Sequence, residues 1–177
     1  MKKILIILFI LFLNFFQAQT LANEERTFLT GKIESADFLK NANDYVVAII
    51  KGDEKKVEQY LKLGANPNEK YSNLPVIFFA SHLKYENIVE LLLKYGADPN
   101  SSAFGENILK YSIYRKCTPC VSSIINYGAD INSKKFLQTS ALDFALQRQE
   151  KEIASLLLRA GAKTSKKSLK LMRKLEY

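Results

Sequence analysis

The chain has 177 residues, 47% hydrophobic and 25% charged, with a formal net charge of +8. That length predicts one domain, and that apolar content excludes bulk disorder. Two cysteines and a single histidine exclude a disulfide-dense scaffold and argue against a zinc site built from Cys and His, while the excess of cations suggests a nucleic-acid or membrane partner until its distribution is known.

Met1-Lys2-Lys3 is a short basic start, Ile4 to Leu13 is an unbroken apolar run of ten residues, and Phe15 and Phe16 extend it. The small-residue stretch Gln17-Ala18-Gln19-Thr20-Leu21-Ala22 follows. Charge, run length and cleavage region predict a secretory signal peptide over residues 1–22, cut after Ala18 or Ala22. The alternative is an uncleaved N-terminal anchor, although the run is short of the roughly 20 apolar residues that span a bilayer. No Cys follows the run, which argues against a lipoprotein anchor. The mature chain is expected to be exported, periplasmic or secreted, and a low-Gly, Lys/Asn/Ile-rich composition suits a bacterium. Residues 23–41 carry a weak pattern (Phe28, Ile33, Phe38, Leu39) that predicts a short leading helix or a semi-ordered arm.

The rest of the chain repeats. Gly64-Ala65-Asn66-Pro67-Asn68, Gly96-Ala97-Asp98-Pro99-Asn100, Gly128-Ala129-Asp130-Ile131-Asn132 and Gly161-Ala162-Lys163 place their glycines 32, 32 and 33 residues apart. Each is preceded by apolar residues at i, i+3, i+4 spacing: Val57/Leu61, Ile88 to Leu93, Val121/Ile124/Ile125 and Ile153/Leu156 to Leu158. That is the face of an amphipathic helix, which the glycine then terminates. A second helical pattern lies upstream in each unit, over 45–50, 75–83, 107–114 and 140–146. It carries Ala48, Ala80, Ser112 and Ala145 in phase with the glycines, small residues where two helices must approach closely.

These residues resemble the ankyrin repeat. Ser140-Ala141-Leu142-Asp143-Phe144-Ala145 looks like the family's Thr-Pro-Leu-His-x-Ala helix start, Pro75 to Ala80 is a looser version, and Gly105 sits where the family places a hairpin glycine. The Gly-Ala-Asp-x-Asn loop is the most specific match. The family's helix-start histidine is replaced by Val46, Phe78, Lys110 and Asp143, and two units are one residue short in the loop. The resemblance implies an all-α solenoid of about four helix-turn-helix units, at about 42–70, 71–102, 103–134 and 135–163, with hairpin-like loops between them. A single such unit cannot bury its apolar face, so neighbours stack into one elongated core.

Without residues 1–22 the chain has 24 Lys/Arg against 18 acids, a net charge of +6. Residues 163–177 hold six Lys/Arg against one Glu, so the tail carries +5 and the body about +1. Leu171, Met172 and Leu175 fall at helical spacing, and residues 164–177 are read as a basic helix capping the last repeat, with cations favourable near its C-terminus. Contact with anionic lipid or an acidic partner is the alternative. Nucleic acid is not expected, because no basic strand interleaved with aromatics is visible.

Cys117-Thr118-Pro119-Cys120 falls between the helices of the third unit, with Thr118 expected as N-cap and Pro119 as first helical residue. Export favours a local structural disulfide. Free thiols, a redox-active pair and metal binding are the alternatives; the βαβ context of a thioredoxin-like site is missing, and His82 lies a repeat away.

Resemblance to ankyrin arrays implies a concave binding face of first helices and loop tips. Matched residue by residue, the exposed end of the first helix is Ile50-Lys51, His82-Leu83, Tyr114-Arg115 and Gln147-Arg148. Tyr71, Phe104 and Phe136 are expected at one point of three successive loops, either as a partner-binding stripe or folded back on their own loops. Tyr95 and Tyr127 read as packing residues, and His82 as an ordinary exposed histidine. No base–nucleophile pair, paired carboxylates, phosphate-cradling loop or metal motif stands out, so no enzyme activity, cofactor or metal is expected. The expected function is non-catalytic binding of a protein partner by a monomer. Two versions follow from the resemblance: an accessory protein of an enzyme such as a periplasmic catalase, or an inhibitor or immunity protein of a toxic enzyme. A thiol–disulfide protein using Cys117 and Cys120, and a membrane-surface protein using the basic tail, are the readings from other classes.

Overall fold

The computed structural model describes residues 33, 35–133 and 139–175. The expected signal segment 1–22 and Phe136 lie outside the described residues. The chain divides into two units, Met1–Asn41 and Ala42–Tyr177. In the first, Ser35 accepts a hydrogen bond from the Phe38 N–H at 3.2 Å and opens the one-turn helix α1, Ala36–Leu39.

The second unit alternates helix pairs and hairpins: α2 (Asp44–Ile50), α3 (Glu54–Lys62), β1 (Lys70–Tyr71), β2 (Leu74–Pro75), α4 (Val76–Leu83), α5 (Glu86–Lys94), β3 (Ser102–Ala103), β4 (Glu106–Asn107), α6 (Ile108–Tyr114), α7 (Thr118–Asn126), α8 (Ala141–Gln147), α9 (Lys151–Arg159) and α10 (Lys166–Lys174). The inner helices α2, α4, α6 and α8 pack side by side, and α10 continues their row against α8. The outer helices α3, α5, α7 and α9 form a second row behind them. This is an all-α solenoid, as the 32–33-residue period requires.

The helices begin where short polar side chains can take up orphan N–H groups. Asn43, Asn107 and Ser140 accept from the N–H of Val46, Lys110 and Asp143 at 2.9, 2.9 and 3.1 Å. Pro75 stands at the same point of the second repeat, with its φ of −65° in place of a side-chain bond. Asp53 caps α3 by accepting from Lys56 N–H at 3.1 Å, and that bond above all holds its carboxyl below the ordinary range. In α7 the cap is Cys117, whose Sγ accepts from Cys120 N–H at 3.3 Å. Thr118 and Pro119 are therefore the first two helical residues, one position earlier than the sequence suggested. A hydroxyl is a better acceptor than a sulfur, but the sulfur at 117 is already placed by its bond to Cys120.

Val57, Leu61, Ile88, Val89, Leu92, Val121, Ile124, Ile153 and Leu157 are buried between the two rows. Ala48, Ala80, Ser112 and Ala145 are buried where inner helices meet, and Ser112 satisfies its hydroxyl on the Ile108 carbonyl at 3.1 Å. Small residues there let axes approach to about 8–10 Å.

The Gly-Ala-Asp-x-Asn loop has a mechanical role that its periodicity did not reveal. Its last Asn holds the next loop in register. Asn68 accepts from Asp98 N–H and donates to the Gly96 carbonyl, both at 2.8 Å. Asn100 accepts from Asp130 N–H at 2.7 Å, and Asn132 from Lys163 N–H at 2.8 Å. Within each loop, Asn66, Asp98 and Asp130 accept from the N–H two residues on, which shapes the turn that presents the Asn. Gly96, at φ 96°, leaves α5 in a conformation that an L side chain avoids.

The turn between the two helices of each repeat also needs a left-handed residue. It is Gly52 in the first repeat and Lys84, Lys116 and Gln149 in the others, at φ 63°, 56° and 59°. A Cβ on Gly52 would sit 2.9 Å from the Tyr85 ring, so a side chain there would have to push that ring aside. Lys84 is exposed and carries the left-handed backbone of an L residue, a strain of about 1–2 kcal/mol. We expect Lys84→Gly to raise stability by about 1 kcal/mol, read as a higher urea midpoint at unchanged slope.

Candidate interaction surface

The inner helices present their C-terminal ends and one flank along the row. At these ends Lys51 and Gln147 are exposed, Leu83, Tyr114, Arg115 and Arg148 are half-buried, and Ile50 and His82 are buried. The expectation of an exposed His82 is corrected: the residue is fully enclosed. Its position explains this. Seven consecutive residues, Val76 to His82, are buried in α4, and His82 lies one turn after Phe78, so both point the same way. The imidazole stands 5.4 Å from the Phe78 ring.

The loop aromatics do not form the expected register. Tyr71 pairs with Leu74 across the first hairpin and Ala103 with Glu106 across the second, so the counterpart of Tyr71 is Ala103 and that of Phe104 is Ser72. Tyr71 is half-buried and its ring turns back to Phe79, 6.3 Å away. Phe104 occupies the turn at φ 51° and is 57% exposed. Its ring stands 5.6 Å from Phe78 and 6.3 Å from Tyr111, so an accessible aromatic edge continues into a buried aromatic cluster. Tyr127, expected to pack, is 41% exposed at the C-cap of α7, where the chain has already left the helix face that packs.

The sequence reading missed a second aromatic series. Phe79, Tyr111 and Phe144 recur 32 and 33 residues apart, one residue before each small helix-contact position. The phase of Ala80, Ser112 and Ala145 would have found them. Tyr111 lies 5.0 Å from Phe78 and bridges two repeats. The Arg148 guanidinium lies 4.6 Å from the centre of the Tyr114 ring and 5.6 Å from that of Phe144, and so bridges the next two.

All four positions where the histidine of the repeat pattern is replaced are explained by their surroundings. Val46 and Phe78 are apolar core. Lys110 is buried and its ammonium meets Glu106 at 3.0 Å, with side-chain exposures of 5% and 16%. Asp143 accepts from Ser165 Oγ at 3.1 and 3.3 Å, and Ser165 is the N-cap of α10, so this carboxylate ties the last helix to the last repeat. Ser165 and Ser168 close a reciprocal capping box there. Leu171, Met172 and Leu175 are half-buried, while Lys166, Lys167, Lys170, Arg173, Lys174 and Leu169 are exposed.

Cys117 and Cys120 are joined in a disulfide, with both residues buried. Exchange requires a thiolate to reach one sulfur, and burial opposes that. The arrangement serves the local turn and cap.

The family model for ankyrin repeats, three copies, matches residues 45–135 and, one repeat along, residues 77–168. A search of the curated proteins finds no match. The matched segment coincides with the stacked helix pairs, their hairpins and the Asn-linked loops, and on that agreement the chain belongs to the ankyrin-repeat family, whose members are generally protein-interaction modules.

Proposed function

We propose that the protein is an exported, non-catalytic binding module that holds a partner protein against its inner helices and hairpin tips, as an accessory or inhibitory subunit of an enzyme outside the cytoplasm. The observation that carries this reading is Phe104, a large aromatic 57% exposed at a hairpin turn and continuous with Tyr111 and Phe78 behind it. Exposed aromatics backed by a packed scaffold are typical interface anchors. A preformed surface also loses little ordering entropy on binding. The basic start and apolar run of residues 1–16 support export.

The test has two parts. N-terminal sequencing of the protein recovered from cells is expected to begin after Ala18 or Ala22; an intact Met1 would favour the uncleaved anchor, and recovery of the protein in the cytoplasmic fraction would overturn export. Cross-linking in the native compartment is expected to trap one partner with the wild type and at least tenfold less with Phe104→Ala, Tyr114→Ala. Equal recovery by both would remove this face from the interface.

A further inference from the structure

The partner surface is also specified electrostatically at repeats three and four. Arg115 and Arg148 are equivalent residues, the C-caps of α6 and α8. Arg115 follows Tyr114 in the chain, and the Arg148 guanidinium stacks on the Tyr114 ring at 4.6 Å. Neighbouring packed helices bring such ends to within about 8–10 Å of one another. The Nε of each arginine is withdrawn from solvent and has no hydrogen-bond partner among the described residues. The adjacent acid, Glu150, is engaged at 2.8 Å by Lys116. Among the described residues, no ion pair includes either arginine.

Two half-buried like charges at the ends of neighbouring helices are unfavourable until an anion joins them. Stacking fixes the plane of the Arg148 guanidinium, and a planar fork of donors fits a carboxylate in bidentate fashion. We propose that this pair is a carboxylate-binding site and that the bound partner presents an extended acidic segment, with Asp or Glu side chains two residues apart. That spacing is about 7 Å along an extended chain with both side chains on one face, within reach of two long arginine side chains on neighbouring helices about 8–10 Å apart. The inference rests on the proposed binding face and names the chemistry of what it holds.

Selection of a random 12-residue peptide library on the purified protein tests it, followed by titration of the best peptide. The expected winners carry two or more carboxylates at i, i+2. Their affinity falls at least tenfold in Arg115→Gln, Arg148→Gln, falls as salt is raised, and is only partly restored by Arg115→Lys, Arg148→Lys. Because Arg148 also packs on aromatic rings, the urea midpoint of each variant is measured alongside, and the Lys variant carries the comparison if the Gln variant is unfolded. Lys170→Gln, Lys174→Gln on the basic terminal helix is expected to leave affinity unchanged. Loss of binding in that tail variant alone would overturn the proposal in favour of a diffuse cationic tail. Winners without carboxylates that still depend on Phe104 would overturn it while leaving the binding face in place. Winners that depend on neither Phe104 nor the arginines would remove both.

Discussion

Phe78→Ala is expected to lower the unfolding free energy by about 3–5 kcal/mol, the range for truncating a large aromatic in a packed core. The side chain is fully buried in α4 and is the hub of the aromatic cluster. Its ring lies 5.5 Å from Phe79, 5.0 Å from Tyr111, 5.6 Å from Phe104 and 5.4 Å from His82. Two of these rings, Tyr111 and Phe104, belong to the third repeat, so the cavity opens at the joint between units rather than within one. Stability in a solenoid is the sum of weak units and their interfaces, and loss at an internal interface removes cooperativity as well as free energy. We therefore expect a lower urea midpoint together with a broadened or two-step transition, followed by circular dichroism. Phe104→Ala, in contact with the same ring but 57% exposed, is the control, with an expected loss of no more than about 1 kcal/mol. A Phe78 loss no larger than that of the control would show that the cluster is not the joint.

Glu106→Leu is expected to cost about 3 kcal/mol, because it leaves the Lys110 ammonium buried without its counter-charge. Lys110 is 5% exposed and Glu106 Oε2 lies 3.0 Å from its Nζ. Lys110 occupies the position held by Val46 and Phe78 in the first two repeats, both buried and apolar, so the site itself favours an apolar side chain. The double variant Lys110→Met, Glu106→Leu is therefore expected to return to within about 1 kcal/mol of the wild type. The double-mutant cycle, measured by urea unfolding, isolates the pair. If Glu106→Leu costs less than about 1 kcal/mol, the ammonium reaches water in the folded state and the pair behaves like a surface ion pair.

The repeat architecture was legible because each of its devices is local. A glycine ending each outer helix, an Asn or Ser opening three of the inner ones and small residues at the helix contacts all recur on one period, and each has the same physical cause in every unit. The loop motif was equally visible, but its bonding partner lies about 30 residues away, as in Asn68 with Asp98. The candidate surface was less legible. Tyr71 and Phe104 are 33 residues apart, yet the hairpins repeat on 32, and one residue in a strand or turn changes the direction of the side chain. His82 was expected outside on its place in the repeat, whereas the neighbouring repeats close over that face of α4.

By itself the sequence determined the period, the helix pairs, the near-neutral body and the basic end, since all of these follow from composition and spacing along one chain. Only the tertiary structure decided which matched positions are surface and which are core. It brought Arg148 over Tyr114, Lys116 to Glu150 and Ser165 to Asp143. Side-chain direction and the pairing of charges depend on what stacks alongside, and in a solenoid that neighbour is the next repeat.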